Sequence, residues 1–105
     1  MDNWNISKED GFKKAYNTSI KILENNNYYL TYSEFIYLLN EKTKNEFKFK
    51  NKKKPLSKFL KYHLSDIKLF FKLYNDFDLI KNDDQIYIRY NKIESEWIII
   101  DDDYY

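Results

Sequence analysis

Apolar and polar positions follow a helical period along most of this chain and change to a two-residue period in its last third. The first helical stretch follows Ser7, a residue type that favours helix N-caps, and its apolar positions recur every three or four residues up to Leu23. Gly11 weakens the first turn, because glycine loses more backbone freedom than other residues. The asparagines at 25–27 end the helix, since asparagine favours caps and turns.

A capping box predicts the start of a second helix. Thr31 stands at the N-cap, and Glu34 follows three residues later, where its side chain reaches back to the cap. We expect this helix to end near Lys44, and residues 28–30 before it form a short apolar link that can pair as a small strand. In the segment 45–54, NEFKFKNKKK, apolar residues alternate with lysines without a helical stripe. That segment is predicted to be a loop or a short edge strand.

Residues 55–75 carry the longest helical stripe. Pro55 fits a first helical turn, where its missing N–H costs nothing. The stripe that follows is predicted to be core and consists of Leu56, Leu60, Leu64, Ile67, Phe71 and Tyr74. Ser65-Asp66 is a good internal N-cap, so we favour two helices, about 55–62 and 65–75, over one long helix.

The last third has strand-like patterns. Residues 77–80 form a strand-like run, 81–84 a polar turn, and 85–90 a clean alternation. The alternation places Ile86, Ile88 and Tyr90 on one face and Tyr87 with Arg89 on the other. A further short strand is expected at 97–100, before an acidic tail at 101–105.

Helices followed by a hairpin are typical of a winged helix. We predict an α+β fold: a small winged-helix-like domain with three to four helices followed by a two- to three-stranded antiparallel sheet. The 105 residues fit one domain, with a winged-helix-like core at 7–91 and an extra strand and acidic tail at 92–105. Residues 1–7 lack periodicity, and we expect them either to be loose or to pack onto that core through Trp4 and Ile6.

Composition narrows the function classes. The chain has no cysteine, which excludes disulfides and thiolate metal sites, and no apolar run approaches the roughly 18 residues that span a bilayer. Residues 1–11 are polar and acidic, unlike a secretory signal. We therefore expect an intracellular, cytoplasmic protein, nuclear as an alternative in a eukaryotic host, with no membrane partner. Seventeen lysines against one arginine fit an A/T-rich coding genome, such as that of some viruses, phages, parasites or bacteria.

The residues that carry catalysis are scarce. His63 is the only histidine, and no nucleophile elbow or oxyanion-forming glycine turn accompanies it. The acidic groups at 83–84 and 101–103 lack the ligand spacing of a calcium loop. With Gly11 as the only glycine, a phosphate-cradling loop is excluded. We expect a protein that is not an enzyme and binds no cofactor or metal.

Charge is distributed unevenly, although the net charge is only +1. Residues 1–41 carry −2, residues 42–72 carry +9 and residues 73–105 carry −6. Clustered lysines favour phosphate contacts, and Phe47, Phe49, Phe59 or Tyr62 would add base stacking. The scarcity of arginine argues against sequence-specific base recognition. The candidate nucleic-acid-binding residues are Lys48, Lys50, Lys52, Lys53, Lys54, Lys58, Lys61, Lys81 and Arg89.

Tyrosines off the helical stripes are candidates for protein recognition, because tyrosine is enriched in interface hot spots. They are Tyr28, Tyr29, Tyr37 and Tyr87. The alternative function is thus a protein-interaction or inhibitor module, of the kind encoded by viruses or phages, that docks on a host protein or helicase.

Three stretches resemble the LOTUS (OST-HTH) domain of the winged-helix superfamily. They are ILENNNYYLTYSEFIYLLNEK (22–42), KKPLSKF (53–59) and SDIKLFFKLYNDFDLI (65–80). Lys53 stands where that family favours glycine, and Asn75 where it favours proline. The resemblance implies binding without catalysis, to RNA or to a DEAD-box helicase, and so favours RNA over DNA. The chain is also similar, as a second choice, to the HARE-type winged helix.

Overall fold

The computed structural model describes residues 3–91 of the chain. This part of the chain contains four helices and five strands. In order they are α1 (Lys8–Glu24), β1 (Tyr29–Thr31), α2 (Tyr32–Lys42), β2 (Lys48–Phe49), β3 (Lys52–Lys53), α3 (Leu56–Leu64), α4 (Ile67–Lys72), β4 (Phe77–Asn82) and β5 (Gln85–Tyr90).

The main sheet has the strand order β1-β5-β4, and both pairings are antiparallel. β4 and β5 form a hairpin with a two-residue turn, Asp83-Asp84, in which Asp83 adopts a left-handed φ of 57°. The predicted turn at 81–84 is therefore shorter than expected, because Lys81 and Asn82 still pair within the sheet. A strand between the first two helices that joins a C-terminal hairpin is the winged-helix arrangement. The predicted α+β, winged-helix-like fold class is confirmed.

The first two helices begin at local side-chain caps. Ser7 accepts a hydrogen bond from the Asp10 N–H at 3.1 Å, and Thr31 accepts one from the Glu34 N–H at 3.3 Å. α2 ends at Lys42, two residues before the predicted end. There the hydroxyl of Thr43 donates to the Leu39 carbonyl oxygen at 2.8 Å, and Thr43 is the C-cap.

The stripe at 55–75 is divided between two helices, as predicted. Ser65 has a φ of 71°, a left-handed value that an α-helix cannot contain, and Asp66 caps α4 by accepting from the Lys68 N–H at 3.0 Å. α3 and α4 differ from the predicted bounds by one to three residues. Pro55 stands at the N-cap with an extended ψ of 150°, so it precedes the first turn rather than occupying it.

The core lies between the four helices and the inner face of the sheet. Its buried hydrophobic residues are Trp4, Ala15, Ile22, Leu23, Phe35, Leu39, Phe47, Leu56, Phe59, Leu60, Phe70, Phe71, Phe77 and Ile88. Every member of the predicted stripe is in this core or packed against it. Phe59 and Phe70 were not on that stripe. They are buried because α3 and α4 are separate helices, and each has its own apolar face of residues spaced three or four apart. Together these two faces are wider than the single stripe.

Residues 3–5 lie beside the β2–β3 hairpin as a short strap. The Asn5 N–H donates to the Lys48 carbonyl oxygen at 3.0 Å, and the Lys50 N–H donates to the Asn3 carbonyl oxygen at 2.9 Å. These bonds hold Trp4 in the core with 5% of its surface exposed, so residues 3–5 take the packed alternative and not the loose one. Ile6 packs against the same core.

The strand and acidic tail predicted for 97–105 lie outside the described residues. Within residues 3–91, no helix combines the length and apolar character required to cross a bilayer.

Candidate nucleic-acid interface

The strap, the β2–β3 hairpin and α3 enclose an open groove of about 350 Å³. We call it the lysine–aromatic groove. It is lined by Trp4, Phe49, Lys54, Lys58, Lys61 and Tyr62.

α3 supplies half of this lining from one face. Lys58, Lys61 and Tyr62 are spaced three and four residues apart, so they lie next to one another on the helix surface. Lys54 precedes the helix, where its N–H donates to the Phe47 carbonyl oxygen at 2.9 Å. That bond ties the segment before α3 to the strand that carries Phe49. Lys58 and Lys61 therefore line the groove because of their helical spacing, and Lys54 lines it because its N–H is bonded to the Phe47 carbonyl oxygen.

Aromatic rings form the apolar part of the groove. Trp4 packs edge-on against Phe49 and Tyr62, with ring centroids 5.1 and 5.8 Å apart, and against the buried Phe59 at 5.1 Å. Phe49 and Tyr62 are 5.9 Å apart with their planes tilted by 53°. Tyr62 is 54% exposed, whereas Trp4 is almost fully buried. Trp4 thus forms the floor of the groove, and Tyr62 presents a ring to solvent.

The groove concentrates uncompensated positive charge. In the part of the chain that the structure describes, the ion pairs join Lys14 to Glu46 and Arg89 to Asp78. Neither pair involves a lysine of the groove. Lys50 adds a cation at the rim, with its Nζ 5.6 Å from the centroid of the Phe49 ring. An anionic ligand placed here would meet lysines without displacing a carboxylate of residues 3–91.

Pairing within the hairpin divides its predicted lysines between two faces. Lys52 pairs with Phe49, and Lys48 pairs with Lys53. Directly opposed residues share a face of a β-ladder, and neighbouring residues alternate. Lys52 is therefore on the face of Phe49 and the groove, and Lys48 with Lys53 is on the other.

The two predicted cations of the wing lie on the main sheet. Lys81 is exposed near the β4–β5 turn. Arg89 pairs with Asp78, its Nε and Nη2 lying 3.3 and 2.8 Å from the carboxylate Oδ2. The other carboxylate oxygen of Asp78, Oδ1, accepts a hydrogen bond from the Asn91 side-chain amide at 3.0 Å. A phosphate would have to compete with Asp78 for Arg89. It would meet no such competing carboxylate at the groove lysines among residues 3–91.

The four predicted interface tyrosines do not form one continuous surface. Tyr29 and Tyr87 stack on the outer face of the sheet, with centroids 5.0 Å apart and planes within 5°. Tyr28 packs against Tyr90 at 6.3 Å, and Tyr37 on α2 is 63% exposed. Tyr29 and Tyr87 alone form a joint aromatic surface among the four.

Two predicted stacking residues are corrected by the structure. Phe47 and Phe59 have no exposed surface, because both rings lie in the core 4.9 Å from each other. They support the groove from below and cannot contact a base. Phe49 and Tyr62 remain as candidates. His63 is half-buried next to Tyr62 and Phe59, with ring centroids 5.0 and 4.6 Å away, and so contributes to the aromatic packing.

Trp4 is the groove residue that sequence reasoning missed as part of a site. Packing onto the core was one of the two expectations for it, but nothing in its neighbourhood indicated that it would face the hairpin lysines. The strap bonds connect residues more than forty positions apart, so no local pattern predicts them. Within residues 3–91, no three His, Asp or Glu side chains form a group that could hold a metal ion.

No protein-family model, curated protein or solved structure matches this chain.

Proposed function

We propose that this protein is a non-catalytic winged-helix-like module that binds nucleic acid through lysine–phosphate contacts in the lysine–aromatic groove. The observation that carries the proposal is the convergence of Lys54, Lys58 and Lys61 over an aromatic wall, without a carboxylate partner among the described residues. Lysine clusters supply affinity that depends on phosphate and not on sequence. The resemblance to the LOTUS domain favours RNA over DNA as the ligand.

The proposal ranks the predicted cations. Lys54, Lys58 and Lys61 line the groove, Lys50 and Lys52 flank it, and the remaining four lie elsewhere on the fold. We expect the first three to contribute most, since an anion in the groove would contact all of them at once.

The decisive experiment is a salt titration of binding to fluorescent RNA and DNA oligonucleotides. Each phosphate contact contributes a slope of about −0.7 in log affinity against log salt for a single strand. Lys58→Gln combined with Lys61→Gln should weaken binding and make the slope shallower by about 1.4. The matched control is Lys13→Gln with Lys21→Gln, which removes the same charge from α1. Equal effects of both pairs would show that total charge matters and the groove does not. Absence of binding at low salt would refute the proposed function.

A second candidate function is docking on a protein. The observation that favours it is the stacked Tyr29–Tyr87 pair on the outer face of the sheet, since tyrosine is enriched in interface hot spots. Partners recovered from a host lysate would distinguish the two functions. Recovery that survives nuclease and is lost in Tyr29→Ser with Tyr87→Ser favours docking; recovery abolished by nuclease favours nucleic acid.

A further inference from the structure

The exposed ring of Tyr62 distinguishes the lysine–aromatic groove from a simple basic patch. Tyr62 lies one residue after Lys61 and four after Lys58, with 54% of its surface in solvent. Its neighbours Trp4 and His63 pack against it edge-on, at 5.8 and 5.0 Å. T-shaped contacts of this kind hold the ring in place, while more than half of the Tyr62 surface stays in solvent.

The spacing of the groove aromatics determines how a flat ligand can bind. A planar ring that slots between two others needs about 7 Å between parallel flanking rings, because carbon atoms in contact are about 3.5 Å apart. Phe49 and Tyr62 are 5.9 Å apart and tilted by 53°, so they do not form such a slot. A flat group therefore has room on the solvent side of Tyr62, and not between the two rings.

Positive charge surrounds that position. Lys58 and Lys61 are one helical turn apart, and Lys54 extends the row at the start of the helix. The helical rise from Lys58 to Lys61 is about 4.5 Å, and Lys54 lies just before the helix, on the other side of the extended Pro55. The row thus fits a short run of backbone phosphates next to one flat group.

We propose that the groove binds single-stranded nucleic acid, with one unpaired base stacked on Tyr62 and the adjoining phosphates held by Lys54, Lys58 and Lys61. This inference rests on the proposed function and specifies its ligand. Stacking accepts any base, because every base has a flat π-face. It therefore suits a groove lined by lysines, which contact phosphates, and without arginine, the commonest residue for reading a specific base.

A duplex fits the groove less well. Its bases are stacked on one another, so Tyr62 would find no free base face. A helix that enters a major groove must also stand clear of its neighbours. On its groove side, α3 is flanked by the strap and by β2, since Trp4 and Phe49 both contact Tyr62. The single strand leaves these neighbours in place.

The test compares the same sequence as a single strand and as a duplex, by fluorescence anisotropy with the full-length protein. Three variants separate stacking from charge and bulk. Tyr62→Leu keeps apolar bulk and loses the flat ring, Tyr62→Phe keeps the ring, and Tyr37→Leu removes an exposed tyrosine from α2 as the matched control. A strand that contains 2-aminopurine reports stacking directly through quenching of its fluorescence.

We expect the single strand to bind more tightly than the duplex and 2-aminopurine to be quenched on binding. Tyr62→Leu should weaken single-strand binding about ten-fold and abolish the quenching, whereas Tyr62→Phe stays within about two-fold of the parent. Tyr37→Leu should change neither. Urea unfolding of each variant separates lost binding from lost folding.

Two results would overturn the inference and leave the proposed function standing. One is equal or tighter binding of the duplex. The other is loss of binding in Lys58→Gln with Lys61→Gln while Tyr62→Leu binds and quenches like the parent. If neither form of the oligonucleotide binds at low salt, the proposed function falls together with this inference.

Discussion

Asn40 of α2 and Ser57 of α3 form a reciprocal pair of hydrogen bonds. The Asn40 side-chain amide donates to the Ser57 hydroxyl at 3.0 Å, and its carbonyl oxygen accepts from the Ser57 N–H at 3.0 Å. Pro55 occupies the N-cap of α3 and makes no side-chain cap bond. Asn40 therefore performs the cap from a neighbouring helix, and it fixes the start of the helix that carries the groove lysines.

Asn40→Ala should destabilise the protein by about 1 kcal/mol, the usual cost of a lost N-cap. Urea unfolding measures this change. Asn17→Ala is the control, because Asn17 is an exposed asparagine within α1 and alanine favours helix there. If the two variants are equally stable, the cap from α2 contributes nothing.

Gly11→Ala should destabilise the protein, although alanine normally stabilises a helix interior by about 1 kcal/mol relative to glycine. A Cβ at this position would lie 2.2 Å from the Cε1 and Cζ atoms of Phe59, whose ring is fully buried. Overpacking of this kind costs about 1–3 kcal/mol. We expect a lower urea midpoint, and partial recovery in Gly11→Ala combined with Phe59→Leu. A stability gain in the single variant would contradict the close approach.

Tyr16 makes stability fall at high pH. Its hydroxyl donates to the Asp76 carboxylate, and this bond, together with burial, raises the pKa of Tyr16 to about 12 from 10.0. The unfolded chain therefore loses this proton at lower pH than the folded chain. The stabilisation from Tyr16 is complete below pH 10 and decreases as pH rises from about 10 to about 12.

Tyr16→Phe tests that relation. At pH 7 it should cost about 1.5 kcal/mol, the lower end for a bond to a charged group. Between about pH 10 and about pH 12 the stability of Tyr16→Phe should decline less steeply than that of the parent, in urea titrations at each pH. Burial likewise raises the pKa of Tyr32 to about 12, so Tyr32→Phe is an informative comparison that lacks the Asp76 bond. Parallel declines in parent and Tyr16→Phe would contradict the assignment.

Arg89→Gln should weaken nucleic-acid binding less than Lys58→Gln, because Asp78 already holds the Arg89 guanidinium. The ion pair is partly exposed, so its loss should change stability by less than about 1 kcal/mol. Anisotropy and urea unfolding measure the two effects. A larger loss of binding in Arg89→Gln would place the sheet face, rather than the groove, at the centre of the interface.

The sequence predicted the elements better than the site. Ser7, Thr31 and Asp66 marked three helix starts because a cap bond joins residues two or three positions apart. Alternation at 85–90 predicted the faces of β5, and Ile88 is buried as that pattern requires. For the hairpin at 48–53 the sequence does not distinguish a loop from a strand, since its lysines face both ways and show no consistent apolar side.

The sequence by itself determined the features that depend on neighbours in the chain: three to four helices, a hairpin after them and an excess of positive charge at 42–72. The tertiary structure decided which cations share a surface. Only the folded strap brings Trp4 to Phe49 and Tyr62, and only the register of β2 and β3 places Lys52, rather than Lys53, on the face of Phe49. These relations depend on contacts between distant residues, whose closeness is set by packing of the whole core.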